Sequence, residues 1–118
     1  MTSVRGVTAP HVELLYIDGC PNWEIIAVRL SVALQATGNA GVHVDLRRIE
    51  DCVDAERAGF TGSPMVRVNG VDPFTPSGQP VAFGCRLFRD GDDVVSGPSV
   101  VQLLDAIRAV AEPSDRGR

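Results

Sequence analysis

Val12, Leu14, Leu15, Tyr16 and Ile17 crowd the segment His11–Ile17, a near-continuous apolar run of the length expected for a central strand buried on both faces. The spacing then changes. Trp23, Ile26, Ala27, Leu30, Ala33 and Leu34 recur at intervals of three and four, which predicts a helix with one apolar stripe. Pro21 suits its first turn and Thr37-Gly38-Asn39 its end. Val42, Val44 and Leu46 alternate with His43 and Asp45, the pattern of a second strand with one buried face. Asp51 to Gly59 reads as a short helix with Val53, Ala55 and Ala58 apolar, Glu56 and Arg57 solvated, and Gly59 at its C-terminal end. Phe60 anchors the connection that follows.

Met65, Val66 and Val68 after Pro64 predict a third strand, and Asn69-Gly70 is a strong turn signal. The return strand is delayed. Val71 to Gly84 holds Asp72-Pro73, Thr75-Pro76, Ser77-Gly78 and Gln79-Pro80, and only then does Arg86-Leu87-Phe88-Arg89 supply a fourth strand, followed by the polar turn Asp90–Asp93. Ser99 and Gln102 form a capping-box pattern ahead of Val100, Leu103, Leu104, Ile107 and Val110, which stripe one face of a last helix. The predicted order is β-α-β-α-β-β-α, an α/β architecture.

At 118 residues, 44% hydrophobic and 22% charged, the chain is sized for one domain, here 11–111, between flexible tails at 1–10 and 112–118. The first ten residues lack the apolar core of a signal peptide. The charge-free stretch Phe74–Cys85 is broken by Pro76, Gly78, Pro80 and Gly84, so it does not predict a membrane span. The expected compartment is the cytoplasm. A net charge of −4, basic residues spread along the chain and aromatics at 5% give no footprint for nucleic acid and none for a membrane surface. Cys20, Cys52 and Cys85 are odd in number and far apart, which predicts thiols rather than a disulfide framework. His11 and His43 have no cysteine or acid pair at ligand spacing, so neither a metal nor any other cofactor is expected.

Candidate chemistry centres on Cys20. It lies where the first strand ends, Gly19 turns the chain and the first helix begins. Unpaired backbone N–H groups and the helix dipole favour an anion at such a place, and the thiolate is the nucleophilic form of cysteine. Pro64, at the first position of a later strand, is a place that can house a cis peptide.

Three segments, Gly19-Cys20-Pro21-Asn22-Trp23, Phe60-Thr61-Gly62-Ser63-Pro64 and Phe83-Gly84-Cys85-Arg86, resemble those of small bacterial thioredoxin-like proteins, a group some of whose members are labelled alkylmercury-lyase-like. The resemblance spans residues 12 to 110. It implies a thioredoxin-like fold, a central four-stranded mixed sheet of order 2-1-3-4, with Cys20 meeting Pro64 across the site. The chain departs from the redox pattern at Trp23, which stands where a Cys-x-x-Cys motif has its second cysteine. A resolving thiol would then be Cys52, favoured by topology, or Cys85, singled out by the resemblance, or a small-molecule thiol. Asp18 and Glu24 flank Cys20 as like charges to a thiolate, and the sequence contains no lysine.

Two classes of function follow. One is single-cysteine thiol–disulfide exchange or thiol carriage at Cys20, with Pro64 shaping the cleft and Cys52 or Cys85 as accessory thiols. Its partner is a thiol or disulfide of a small molecule or protein; holding a soft metal such as mercury is the variant the resemblance suggests. The other is a non-catalytic adaptor that binds protein through the cleft edge and the 71–84 loop.

Overall fold

A computed structural model of the chain describes residues 9–20, 22–75, 80–84, 88–90, 93–95 and 97–111. Its elements in chain order are β1 (Val12–Tyr16), α1 (Asn22–Ala36), β2 (Val44–Arg48), α2 (Cys52–Ala58), β3 (Met65–Val68), β4 (Phe88–Asp90), β5 (Asp93–Val95) and α3 (Val100–Ala111). The main sheet has the order β2-β1-β3. β1 runs parallel to β2, with Leu14 opposite Leu46, and antiparallel to β3, with Leu14 opposite Val66.

The sheet is covered on both faces. On one, Val12, Leu14, Val66 and Val68 pack with Ile26, Leu30, Ala33 and Leu34 of α1 and Leu103 and Ile107 of α3. On the other, Leu15 and Met65 pack with Ile49, Ala55 of α2 and Phe60. Strand side chains alternate between faces, so the near-continuous apolar run of β1 serves both layers, as its composition predicts.

The helix ends follow the sequence signals. α1 closes with Asn39 N–H donating to Leu34 O at 2.7 Å and Gly38 N–H to Gln35 O at 3.2 Å, the paired bonds of a Schellman ending. Asp51 caps α2 by accepting from Asp54 N–H. At α3, Ser99 Oγ accepts from Gln102 N–H at 3.1 Å while Gln102 Oε1 accepts from Ser99 N–H at 2.9 Å, the reciprocal capping box. Just before it, Gly97 is buried against α1. A Cβ at this position would lie 2.4 Å from Ile26 Cδ1 and 2.9 Å from Cγ1, so glycine is what lets the chain pass so close to α1.

The structure corrects three expectations. Among the described residues the main sheet has three strands, not four in the order 2-1-3-4: β4 pairs only with β5, in a separate antiparallel hairpin. The expected fourth strand at 86–89 lies partly outside the described residues. The chain leaves the sheet early because the turn at Asn69-Gly70 closes on Val71 alone, with Val68 N–H donating to Val71 O at 2.8 Å. Asp72 then accepts from Phe74 N–H and the Thr75 hydroxyl, and Pro73 has no N–H to offer a ladder. Second, β2 does not bury one whole face. Val44 packs at the margin of the core, but Leu46 is 52% exposed, because β2 is the sheet's outer strand and the first core cluster reaches only its start. Third, Val53 is exposed, and the core contacts of α2 are made by buried Ala55 and partly buried Ala58. The expected tails fall almost wholly in 1–8 and 112–118, outside the described residues.

Candidate functional site

β1 ends at Tyr16, and the chain turns through Ile17, Asp18 and Gly19 to deliver Cys20 just ahead of α1. Gly19 has φ 85°, a backbone conformation that side chains other than glycine's rarely adopt. The turn sends Cys20 inward, where it is 1% exposed. Its Sγ–H donates to the carbonyl of Ser63 at 3.7 Å. The Ser63–Pro64 peptide is cis and Pro64 is fully buried. Cys20 and Pro64 are thus at one place, as the antiparallel pairing of β1 with β3 dictates.

Ser63 ties this region together. Fully buried, it accepts from Ile17 N–H through Oγ at 3.2 Å, accepts the Cys20 thiol through its carbonyl, and donates its N–H to Gly84 O at 2.6 Å. Ala82 N–H in turn donates to Phe60 O at 3.0 Å. The far end of the 71–84 connection therefore lies against the segment that leads into β3. Sequence reasoning picked out Pro64 and passed over Ser63. Its signal was a lone hydroxyl between glycine and proline at a buried strand entry, where a polar side chain needs an internal partner.

Tyr16 and Trp23 stack with ring centroids 4.2 Å apart and planes 21° apart, which fixes Trp23 against the sheet. Gly19, Cys20, Trp23 and Glu24 line an open groove. Asp18, at its margin, accepts from Arg48 at 2.6 Å, and Arg48 also reaches Glu50 at 3.3 Å. The hydrogen bond that Arg48 donates to Asp18, with the charges of Asp18 and Glu50, raises the Arg48 pKa. A basic group does offset Asp18, then, although no lysine is present. Parallel register supplies it: Arg48 is opposite Tyr16, two residues before Asp18.

Cys52 stands at the first position of α2 and is exposed, lining a different groove with Ala55, Glu56, Val81, Ala82 and Phe83. β1 and β2 are parallel, so α1 and α2 begin at the same sheet edge, as topology requires, but on opposite faces. Cys20 and Cys52 are both free thiols. Cys85 and Pro21 lie outside the described residues. His11 Nε2 is 2.7 Å from Asp45 Oδ2, and among the described residues no three His, Cys, Asp or Glu side chains gather as a metal site. Nor is any described helix long and apolar enough to cross a membrane.

Comparison with models of protein families, with curated proteins and with solved structures finds no match for this chain.

Proposed function

We propose that the protein is thioredoxin-like and works through the thiol of Cys20, exchanging with a disulfide of a small molecule or protein. The observation that carries this reading is the contact of Cys20 Sγ with the carbonyl of Ser63 in the cis Ser63–Pro64 peptide. A strand–helix–strand–helix–strand order with a mixed sheet β2-β1-β3 also supports it. The thiol first leaves the Ser63 carbonyl and gives its proton to solvent. The resulting thiolate attacks one sulfur of the disulfide, forming a mixed disulfide on Cys20 and expelling the other half as a thiolate. A small thiol then attacks the mixed disulfide, restoring Cys20 and carrying the bound half away as a new disulfide. The electron count is closed, and no second protein cysteine takes part.

Cys52 provides the internal comparison. Exposed and outside the Cys20 groove, it sets the rate of an accessible thiol on the same chain. Treating the native protein with a small disulfide and mapping the mixed disulfides should show Cys20 modified faster than Cys52. Modification of Cys52 alone, with Cys20 untouched until the protein unfolds, removes the reading.

The near-complete burial of Cys20 favours a second reading, a non-catalytic adaptor in which this thiol is a packing residue. Cys20→Ser separates them. Partner binding survives the change if the adaptor reading holds; exchange and binding are both lost, in a protein that remains folded, if the thiol is the working group.

A further inference from the structure

β2 is an outer strand, and the direction of its free hydrogen-bonding groups is fixed by the pairing with β1. Ile49 N–H donates to Tyr16 O at 2.7 Å. Backbone groups alternate sides along a strand, so those of Asp45 and Arg47 also face β1 while those of Val44, Leu46 and Arg48 face outward. Among the described residues no strand pairs with that edge. Leu46, 52% exposed, stands beside a groove between β2 and α1 lined by Ala27, Ser31, Leu34 and Val44.

We infer that this edge pairs with the same edge of a second copy, antiparallel about a two-fold axis through Leu46, joining two three-stranded sheets into one. The charges select the partner and the register. Pairing all five residues of each strand centres on Leu46 and sets Val44 opposite Arg48 of the partner, with Asp45 opposite Arg47 of the partner, twice over. Shifting the centre one residue toward the N-terminus sets Asp45 against its own copy. Shifting it the other way sets Arg47 against its own copy. Like charges directly opposite each other are destabilising and opposite charges stabilising, so the Leu46-centred pairing is the one the sequence favours.

Contacts within each protomer reinforce it. Asp45 and Arg47 are opposite Glu13 and Leu15 in register and share the α2 face of the sheet. There Asp45 already holds His11 at 2.7 Å and Arg47 holds Asp54 at 3.2 Å. The pairing joins Asp45 of each protomer to the Arg47–Asp54 pair of the other across the joint. On the opposite face the two Leu46 side chains meet, each beside its own α1 groove.

The test is sedimentation equilibrium of the full chain at micromolar concentration, where a dimer is expected. Asp45→Arg and Arg47→Asp should each weaken dimerisation at least about tenfold, since symmetry counts each change twice. An equimolar mixture of the two variants should restore it as a heterodimer, because each then meets the opposite charge. Far-UV circular dichroism checks that each variant is folded, and both positions are exposed. Monomeric wild type, a dimer indifferent to both substitutions, or folded variants whose mixture fails to associate would each overturn the inference. So would a dimer abolished by Val28→Glu on the outer face of α1 while Asp45→Arg leaves it intact.

Discussion

Cys20 donates its thiol to the carbonyl of Ser63 across 43 residues of chain, at 3.7 Å. The contact links the end of β1 to the entry of β3 at the point where the chain also turns into α1. Ser63 holds three segments at once, through its carbonyl, its hydroxyl and its N–H. The site is therefore built on a buried backbone junction rather than on a cluster of charged side chains.

The hydroxyl is separable from the rest. Ser63→Ala keeps the carbonyl that receives Cys20 and the N–H that reaches Gly84, but deprives Ile17 N–H of its acceptor. A buried donor left unpaired costs about 1–3 kcal/mol. Urea unfolding should show a loss in that range with an unchanged slope. A loss below about 0.5 kcal/mol would mean that Ile17 finds another acceptor.

A steric prediction concerns Gly97. Replacing it with alanine drives a methyl group into Ile26 of α1, whose side chain is buried in the core that α1 forms with the sheet and α3 and has little room to yield. Overpacking of this kind costs about 1–3 kcal/mol. Ile26→Val removes Cδ1, the atom of closest approach, so Gly97→Ala should be less damaging in that background than in the wild type. Additive effects of the two changes in thermal unfolding would show that the clash is relieved elsewhere.

Gly97 also marks a limit of what the sequence discloses. Periodicity located β1, α1 and α3, and local chemistry located their ends: the Schellman bonds at Gly38 and Asn39 and the Ser99–Gln102 box lie where their residue types predict them. These signals are local, written within one or two turns of chain. The close pass of Gly97 to Ile26, the ion pair of Arg48 with Asp18 and the triple role of Ser63 join residues far apart in sequence: the sheet register brings Arg48 toward Asp18 and Ser63 to the end of β1, and packing of the segment before α3 on α1 brings Gly97 to Ile26. The placing of the fourth strand in the main sheet failed for a related reason. The short segment Arg86-Leu87-Phe88-Arg89 specifies a strand but not its neighbour, and the Asp72 turn takes the chain off the sheet before it can return along β3. Cys20 and Pro64 were legible as a pair because antiparallel pairing leaves them little freedom, whereas the burial of Cys20 depends on the inward turn at Gly19.

The start of α2 carries a pH dependence of defined sign. Asp54 accepts from the N–H of Glu50 at 3.1 Å and from Arg47 at 3.2 Å. Its pKa is lowered, first by the backbone hydrogen bond at Glu50 and then by Arg47 and Arg57, against an opposing effect of desolvation. A carboxylate depressed on folding contributes stability that is fully present above its unfolded pKa and is lost as pH falls through the folded value. Stability should therefore decline on acidification through and below the ordinary aspartate range, and Asp54→Asn should flatten that part of the curve. An unchanged acid limb in Asp54→Asn, followed by urea unfolding at a series of pH values, would place the dependence on other carboxylates.

Trp23 offers a direct reading of events at Cys20. It is the sole tryptophan of the chain, stacks on Tyr16 and lines the same groove as Cys20. A group attached to the Cys20 sulfur has to occupy that groove or displace the indole, because the thiol is otherwise enclosed. Mixed-disulfide formation at Cys20 should therefore shift or quench the tryptophan emission, and a reducing thiol should reverse the change. Modification of Cys52, which lines another groove, should leave the emission unaltered. The comparison is clearest in a protein with Cys52 and Cys85 both replaced by serine, where any change reports Cys20, and in Cys20→Ser, where none is expected. An emission change that persists in Cys20→Ser would show that the indole responds to Cys52 or Cys85, and the groove at Gly19–Glu24 would no longer be the place where the disulfide is received.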